Sequence, residues 1–216
     1  MLHGRPVAIL GGVRIPFCRQ NTAYADVGNL GMSVRTLGAL VEKFGLHGQQ
    51  LGEVAMSAVI KHSSDWNLGR EAALSSGLSP LTPGITLQRA CGTSLDSIIT
   101  IGNKIALGQI DSGIGGGSDT TSEVPIVYGK KLRARLLAAN RAKTTGDKFK
   151  ALTSGFKFNE LKPEFPGVAE PRTGKSMGDH CEDMAKEWNI SRDSQDELAV
   201  ASHHKLAAAY ERGFFD

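Results

Sequence analysis

Two periodicities alternate along the first 120 residues. "PVAILGGV" at 6–13 is an almost continuous apolar run and predicts a buried strand. Leu30, Val34, Leu37, Val41 and Phe44 then step by four and three, which is one face of a helix, and Gly45 closes it. "EVAMSAVI" (53–60) predicts a second strand, and "NLGREAALSSGL" (67–78) a short helix ended by Gly77. Ile85–Thr86–Leu87–Gln88 predicts another strand, followed by a helix from Thr93 to Leu107 with Gly108 as its stop. "SGIGGGSD" (112–119) predicts a glycine-rich fourth strand. Strand and helix in alternation predict an α/β fold: a mostly parallel sheet covered by helices.

The pattern changes after Pro125. Between residues 128 and 162 ten Lys or Arg face only Asp147 and Glu160, a net of +8. The chain total is +3, so the remainder carries −5. Leu132, Leu136, Leu137, Phe149, Leu152, Phe156, Phe158 and Leu161 interleave the charges, which predicts an amphipathic helical insertion. A proline-containing loop (161–174) leads to a helix pair over 176–214, the second helix starting at the N-cap candidate Ser191. Domains are therefore expected at 1–122 and 123–216.

Composition narrows the class. An apolar fraction of 40% and a charged fraction of 22% are ordinary for a globular protein. Glycine, at 26 residues against 3 Tyr and 2 Trp, points to tight turns and close backbone approaches. The small net charge gives no case for a nucleic-acid partner. Cys18, Cys91 and Cys181 lie far apart without a CxxC pair, which argues against a disulfide framework or a zinc ribbon and favours a reducing, cytoplasmic setting. The opening "MLHGRPVAILGG" has no long apolar h-region, so no signal peptide is expected, and no run approaches 18 apolar residues.

Candidate chemistry centres on Cys91, set where the strand pattern gives way to the helix pattern. A helix N-terminus presents unpaired N–H groups and a partial positive charge, both of which favour a thiolate, the form that attacks carbonyls. The amides of Cys91 and Gly92 are candidate donors to an oxyanion, and Gly92 lets the backbone approach a substrate. Leu95, Ile98, Gly102 and Ile105 are the expected buried side of this helix. The plainer reading is that Cys91 is a small core residue.

"RACGTSLDSI" resembles the nucleophile segment of the thiolase family. The resemblance continues in "VAILGGVRIPFCR", "NLGREAALSSGL", "GGGSDTTSEVPIVYGKKL" and "TGKSMGDHCEDMAKEWNISRDSQDELAVASHHKLAAA", in order from Pro6 to Asp216. It is strongest toward the thiolase subunit of fatty-acid β-oxidation complexes, the trifunctional β type. It implies a thiolase fold, represented by the N-terminal core half (1–122) and part of the helical loop domain (123–216). It implies reversible acyl transfer between 3-ketoacyl-CoA and CoA, with Cys91 as the catalytic, acyl-carrying nucleophile and Met177, Gly178 and Gly92 in the substrate pocket. Neither metal nor cofactor is implied, coenzyme A being a substrate. Implied partners are acyl-CoA and CoA, a second copy in a homodimer or dimer of dimers, and a hydratase/dehydrogenase subunit. The basic 128–162 segment adds a candidate peripheral membrane contact.

The family's histidine, second cysteine and asparagine-held water fall in a second half that these 216 residues do not include. None of the histidines at 3, 47, 62, 180, 203 and 204 sits in such a motif, and His203 and His204 are expected to be solvated. Met177, Cys181, Ala185 and Trp188 also form an apolar helical stripe, so core packing accounts for Met177 as well as a pocket wall does, and Cys181 is expected in the core. Two other classes stay in view. Gly174–Lys175–Ser176 resembles a relaxed phosphate loop of a nucleotide hydrolase, although Ala169 stands where the stricter pattern has glycine. The basic segment alone suits a non-catalytic binding module.

Overall fold

The computed structural model describes residues 4–215; His3 lies outside them. The chain falls into two compact units, one ending at Phe165 and one beginning at Pro166.

The first unit is built on a three-stranded parallel sheet with the order β2–β1–β3. Strand β1 (Glu53–Ser57) pairs with β2 (Gly84–Ile85) on one edge and with β3 (Gly113–Gly117) on the other. Parallel neighbours need crossovers, supplied by helix α2 (Leu68–Ser75) and helix α3 (Thr93–Ala106). Side chains of β1 alternate between faces. Val54 and Met56 join the core with Leu37 and Val41 of α1 (Asn29–Lys43) and with Ala72 and Ala73 of α2. Glu53 and Ser57 turn to the other face, where Lys104 and Ser97 of α3 meet them.

The glycines of β3 decide how α3 sits. A Cβ on Gly113 would fall 2.9 Å from the Ile101 side chain, and one on Gly117 2.6 Å from Ser94 Oγ. The strand thus offers the helix a floor without side chains, and α3 lies directly on it. Its buried row is Thr93, Ser97 and Ile101. Leu95 is 63% exposed and Ile98 and Ile99 are also open, contrary to the expected burial of Leu95 and Ile98, while Gly102 and Ile105 of that side are half-buried. Over Gly115 and Gly117 the bare backbone lets the helix come close enough to bury the short side chains of Thr93 and Ser97, and Ile101 fills the space over Gly113.

A second correction concerns residues 6–13, which form no strand. Ile9 and Leu10 are exposed. The segment pairs with neither outer edge of the β2–β1–β3 sheet. The segment is tied down at its start instead. Arg5 N–H donates to Ala106 O (3.0 Å), its Nε to Ile105 O (2.5 Å), and its guanidinium meets Asp111 at 2.8 Å.

The helix stops fall where the glycines place them. Gly45 and Gly108 adopt φ of +63° and +70°, and the bonds Leu46 N→Val41 O and Gln109 N→Lys104 O close the two ends.

The basic insertion is helical, as expected. It holds α4 (Lys130–Arg141) and α5 (Thr145–Thr153), and a short antiparallel pair, β4 (Val127–Tyr128) with β5 (Pro163–Glu164), joins its two ends. Arg135 fastens it from inside, donating to Glu160 Oε2 (2.7 Å) and to the carbonyls of Ser154 (2.6 Å) and Gly155 (2.9 Å). Leu136, Leu137, Phe149 and Phe158 remain exposed.

The second unit contains α6 (Met177–Glu187) and α7 (Arg192–Glu211). Ser191 caps α7 by accepting from Ser194 N–H, as its position predicts. No helix among the described residues is long and apolar enough to cross a membrane.

Candidate active site

Residues 86–92 carry the chain from β2 into α3. Leu87 N–H donates to Ser57 Oγ (2.9 Å), which pins the segment to β1. Ala90 then takes φ +41°, a left-handed conformation uncommon outside glycine, asparagine and aspartate. Such a residue costs about 1–3 kcal/mol and persists only where its surroundings hold it. Cys91 follows immediately, exposed and free, and Gly92 is the N-cap of α3. The thiol therefore stands just ahead of the first helical turn, on the outside of a strand-to-helix elbow, and is no core residue.

Hydroxyl groups make this elbow. Thr93 Oγ1 accepts from Arg89 N–H (2.8 Å) and donates to Ala90 O (2.6 Å). Ser97 Oγ is 3.0 Å from Thr93 O and donates to Ser57 Oγ at 3.2 Å. Thr93, Ser97 and Ser57 are all buried. Arg89 Nε reaches Asp96 at 3.0 Å across the outer side. Of the two amides assigned to an oxyanion from the sequence, that of Gly92 already donates to Arg89 O (3.0 Å). It serves as an oxyanion donor only if that bond gives way.

Met177 and Gly178 are in the second unit, at the first two positions of α6. Their helix start is closed by a reciprocal capping box. Ser176 Oγ accepts from Asp179 N–H (3.1 Å), and Asp179 Oδ2 accepts from Ser176 N–H (2.8 Å). Hydrogen bonds from the Ser176 hydroxyl and amide hold the Asp179 carboxyl below the usual range. The preceding loop is cross-braced. Glu170 accepts from Thr173 Oγ1 (2.7 Å) and faces His180 Nε2 at 3.2 Å, and its carboxyl is lowered chiefly by the Thr173 bond. Lys175 Nζ lies 2.5 Å from Asp183, which raises the ammonium and lowers the carboxyl.

These bonds answer the phosphate-loop reading. The cation of Gly174–Lys175–Ser176 is spent on Asp183, and the helix N-terminus that a phosphate would need already holds the Asp179 carboxylate.

The apolar stripe on α6 is open. Met177 is 60% exposed, Trp188 is also exposed, and Cys181, expected in the core, is exposed. A stripe with helical spacing is buried only if something covers it, and these side chains are left uncovered. His203 and His204 are exposed, in line with the solvated reading. His180 is engaged with Glu170, and no group of three or more His, Cys, Asp or Glu among the described residues is arranged to hold a metal ion.

Cys91 and Gly92 thus share one turn of the first unit, and Met177 and Gly178 one helix start of the second. Sequence reasoning passed over Ala90, Thr93, Ser97 and Ser57. The available signal was the row Thr93–Ser97–Ile101 at helical spacing, opposite the more apolar row.

Comparison with known proteins bears on all of this. The family pattern described as "Thiolase, N-terminal domain" matches residues 7–216. A 3-ketoacyl-CoA thiolase of Photorhabdus laumondii is 39% identical over 211 residues, covering 98% of this chain and 48% of the relative. A 3-ketoacyl-CoA thiolase of Vibrio cholerae is 38% identical over 210 residues, covering 97% of this chain and 48% of the relative. The chain therefore spans about half the length of these curated relatives. The crystal structure of the Bacillus anthracis acetyl-CoA acetyltransferase superposes over 100% of this chain and 50% of its own, with a TM-score of 0.77 at 24% identity, a likeness of fold.

Proposed function

The chain belongs to the thiolase family, a family of acyltransferases, and from that premise we propose that Cys91 is the nucleophile of a 3-ketoacyl-CoA thiolase. The observation that carries the reading is the exposed thiol at the β2–α3 elbow, directly after the strained Ala90. Its thiolate attacks the C3 carbonyl of a 3-ketoacyl-CoA. The C2–C3 bond breaks, its electron pair leaves with the acetyl-CoA fragment, and that carbanion takes up a proton. The shortened acyl group stays on Cys91 as a thioester until the thiol of CoA attacks it and frees the cysteine. Covalent capture divides one difficult cleavage into two easier steps. The resemblance assigns the acid and base to a histidine and a second cysteine outside these 216 residues, groups that typically contribute about 10²–10⁴-fold each.

Met177 and Gly178 are read as pocket wall, and Gly92 as the position where the backbone meets the thioester. Residues 1–122 are read as the N-terminal core half and 123–216 as part of the loop domain. The substrates are acyl-CoA and CoA, the route is fatty-acid β-oxidation, and the setting is cytoplasmic. The partners are a second copy of the chain, a hydratase/dehydrogenase subunit and, through 128–162, a membrane surface.

Incubating the full-length gene product with acyl-CoA and mapping the peptides by mass spectrometry tests the nucleophile. An acyl mass on the Cys91 peptide is expected. Label on Cys18 or Cys181, or on no cysteine, overturns the assignment.

A further inference from the structure

We propose that Thr93 is a positioning residue for Cys91, acting through the left-handed Ala90. The proposal rests on Cys91 being the nucleophile. A strand-to-helix turn can leave its last residue pointing in several directions, because rotating one peptide re-aims the next side chain. Here the peptide before Arg89 and the peptide after Ala90 are bound to one atom. Thr93 Oγ1 takes the N–H of Arg89 and gives its proton to the carbonyl of Ala90. Turning Ala90 to negative φ breaks at least one of these bonds. The hydroxyl itself cannot drift, because Thr93 is buried and its carbonyl lies against Ser97 Oγ, which is bonded to Ser57 of the central strand. Ser57 also receives the Leu87 amide, so both ends of the 87–93 segment close on the same pair of serines. The direction of the Cys91 thiol is thus fixed from beneath, by groups that do not touch a substrate.

Valine has the shape of threonine without the hydroxyl. Thr93→Val leaves the Arg89 amide without its partner and the Ala90 carbonyl with only the Thr93 amide (3.1 Å), so Ala90 loses the hydroxyl that ties it to Arg89 at φ +41°. Misplacing a reacting group by about 1 Å costs about 10²-fold. In the full-length enzyme, Thr93→Val is expected to lower kcat by about tenfold or more with KM little changed, and to slow alkylation of Cys91 by iodoacetamide. Thr93→Ser keeps the hydroxyl and restores most of both rates. Adding Ala90→Gly to Thr93→Val recovers part of the loss, because glycine holds positive φ without help.

A Thr93→Val enzyme with wild-type kcat overturns the proposal, as does a Thr93→Ser enzyme no better than Thr93→Val. If Thr93→Val does not fold, Ser97→Ala serves, with a smaller loss expected; an unchanged acylation rate there sinks the idea equally. Failure of wild-type Cys91 to take up an acyl group refutes the nucleophile reading instead. The alkylation rates then still report whether Thr93 positions the thiol.

Discussion

A β-carbon placed on Gly115 would stand 2.7 Å from both the amide nitrogen and the Cα of Ile98, so β3 and α3 meet backbone to backbone. The obstacle is main chain, which cannot turn aside. Gly115→Ala is therefore expected to destabilise the protein by about 1–3 kcal/mol, the usual cost of overpacking. Gly116→Ala meets only the Met56 sulfur at 3.0 Å, the movable end of a flexible side chain, and should cost less. Urea denaturation of the two variants orders them, and a Gly116 variant at least as destabilised as the Gly115 variant would contradict the packing described.

Arg135 spans Glu160 and two carbonyls at once. Arg135→Ala is expected to free the 154–162 segment and make it the first site of limited proteolysis. Arg135→Lys should rescue little, because an ammonium lacks the planar fork that meets all three acceptors. Cleavage at an unchanged rate in both variants would show that the insertion is held by other contacts.

The start of α6 should fray in acid. Asp179, Asp183 and Glu170 have carboxyls held below the ordinary range by Ser176, Lys175 and Thr173 respectively. Groups lowered in this way contribute stability that is complete above their unfolded pKa, about 4, and lost as pH falls through the lower folded values. Lys175, raised by Asp183, contributes below its own unfolded value, about 10.4, and loses that contribution as pH rises through the folded one. Protection of the amides at 177–181 against hydrogen exchange, corrected for intrinsic rate, should be flat across neutral pH and fall in acid. Asp179→Asn should weaken the acid step. Fraying between about pH 6 and 7 would assign the change to a histidine instead.

The basic insertion carries exposed Leu136, Leu137, Phe149 and Phe158 among its cations. Co-sedimentation with liposomes is expected to require anionic lipid and to weaken with salt. Equal sedimentation with neutral lipid would remove the electrostatic part of that reading, and none with either would leave a solvated surface.

Much of the frame was legible in the sequence. Helix α1 had a clean four–three repeat and a glycine stop, and α7 had Ser191 to open it. What stayed hidden follows from sterics that hydrophobicity does not register. The buried row of α3 is Thr93, Ser97 and Ile101 because a glycine strand lies beneath it, so the two small polar side chains are buried by the close approach of backbones rather than by their own apolar character. Ala90 is hidden for a related reason. Alanine is no marker of positive φ, and the hydroxyl that holds it sits three residues further on. The run at 6–13 misled because apolar character alone neither buries a segment nor pairs it with a neighbouring strand, and Ile9 and Leu10 stand exposed.

The bonds that fix the Cys91 elbow all come from residues between Ser57 and Ser97, no more than 40 positions apart. Chains leave the ribosome from the N-terminus at about 5–20 residues per second, and domains generally fold as units in that order. Once β3 has emerged and closed on β1, the elbow has every partner it uses. The elbow can therefore close before the residues that follow β3 have been made.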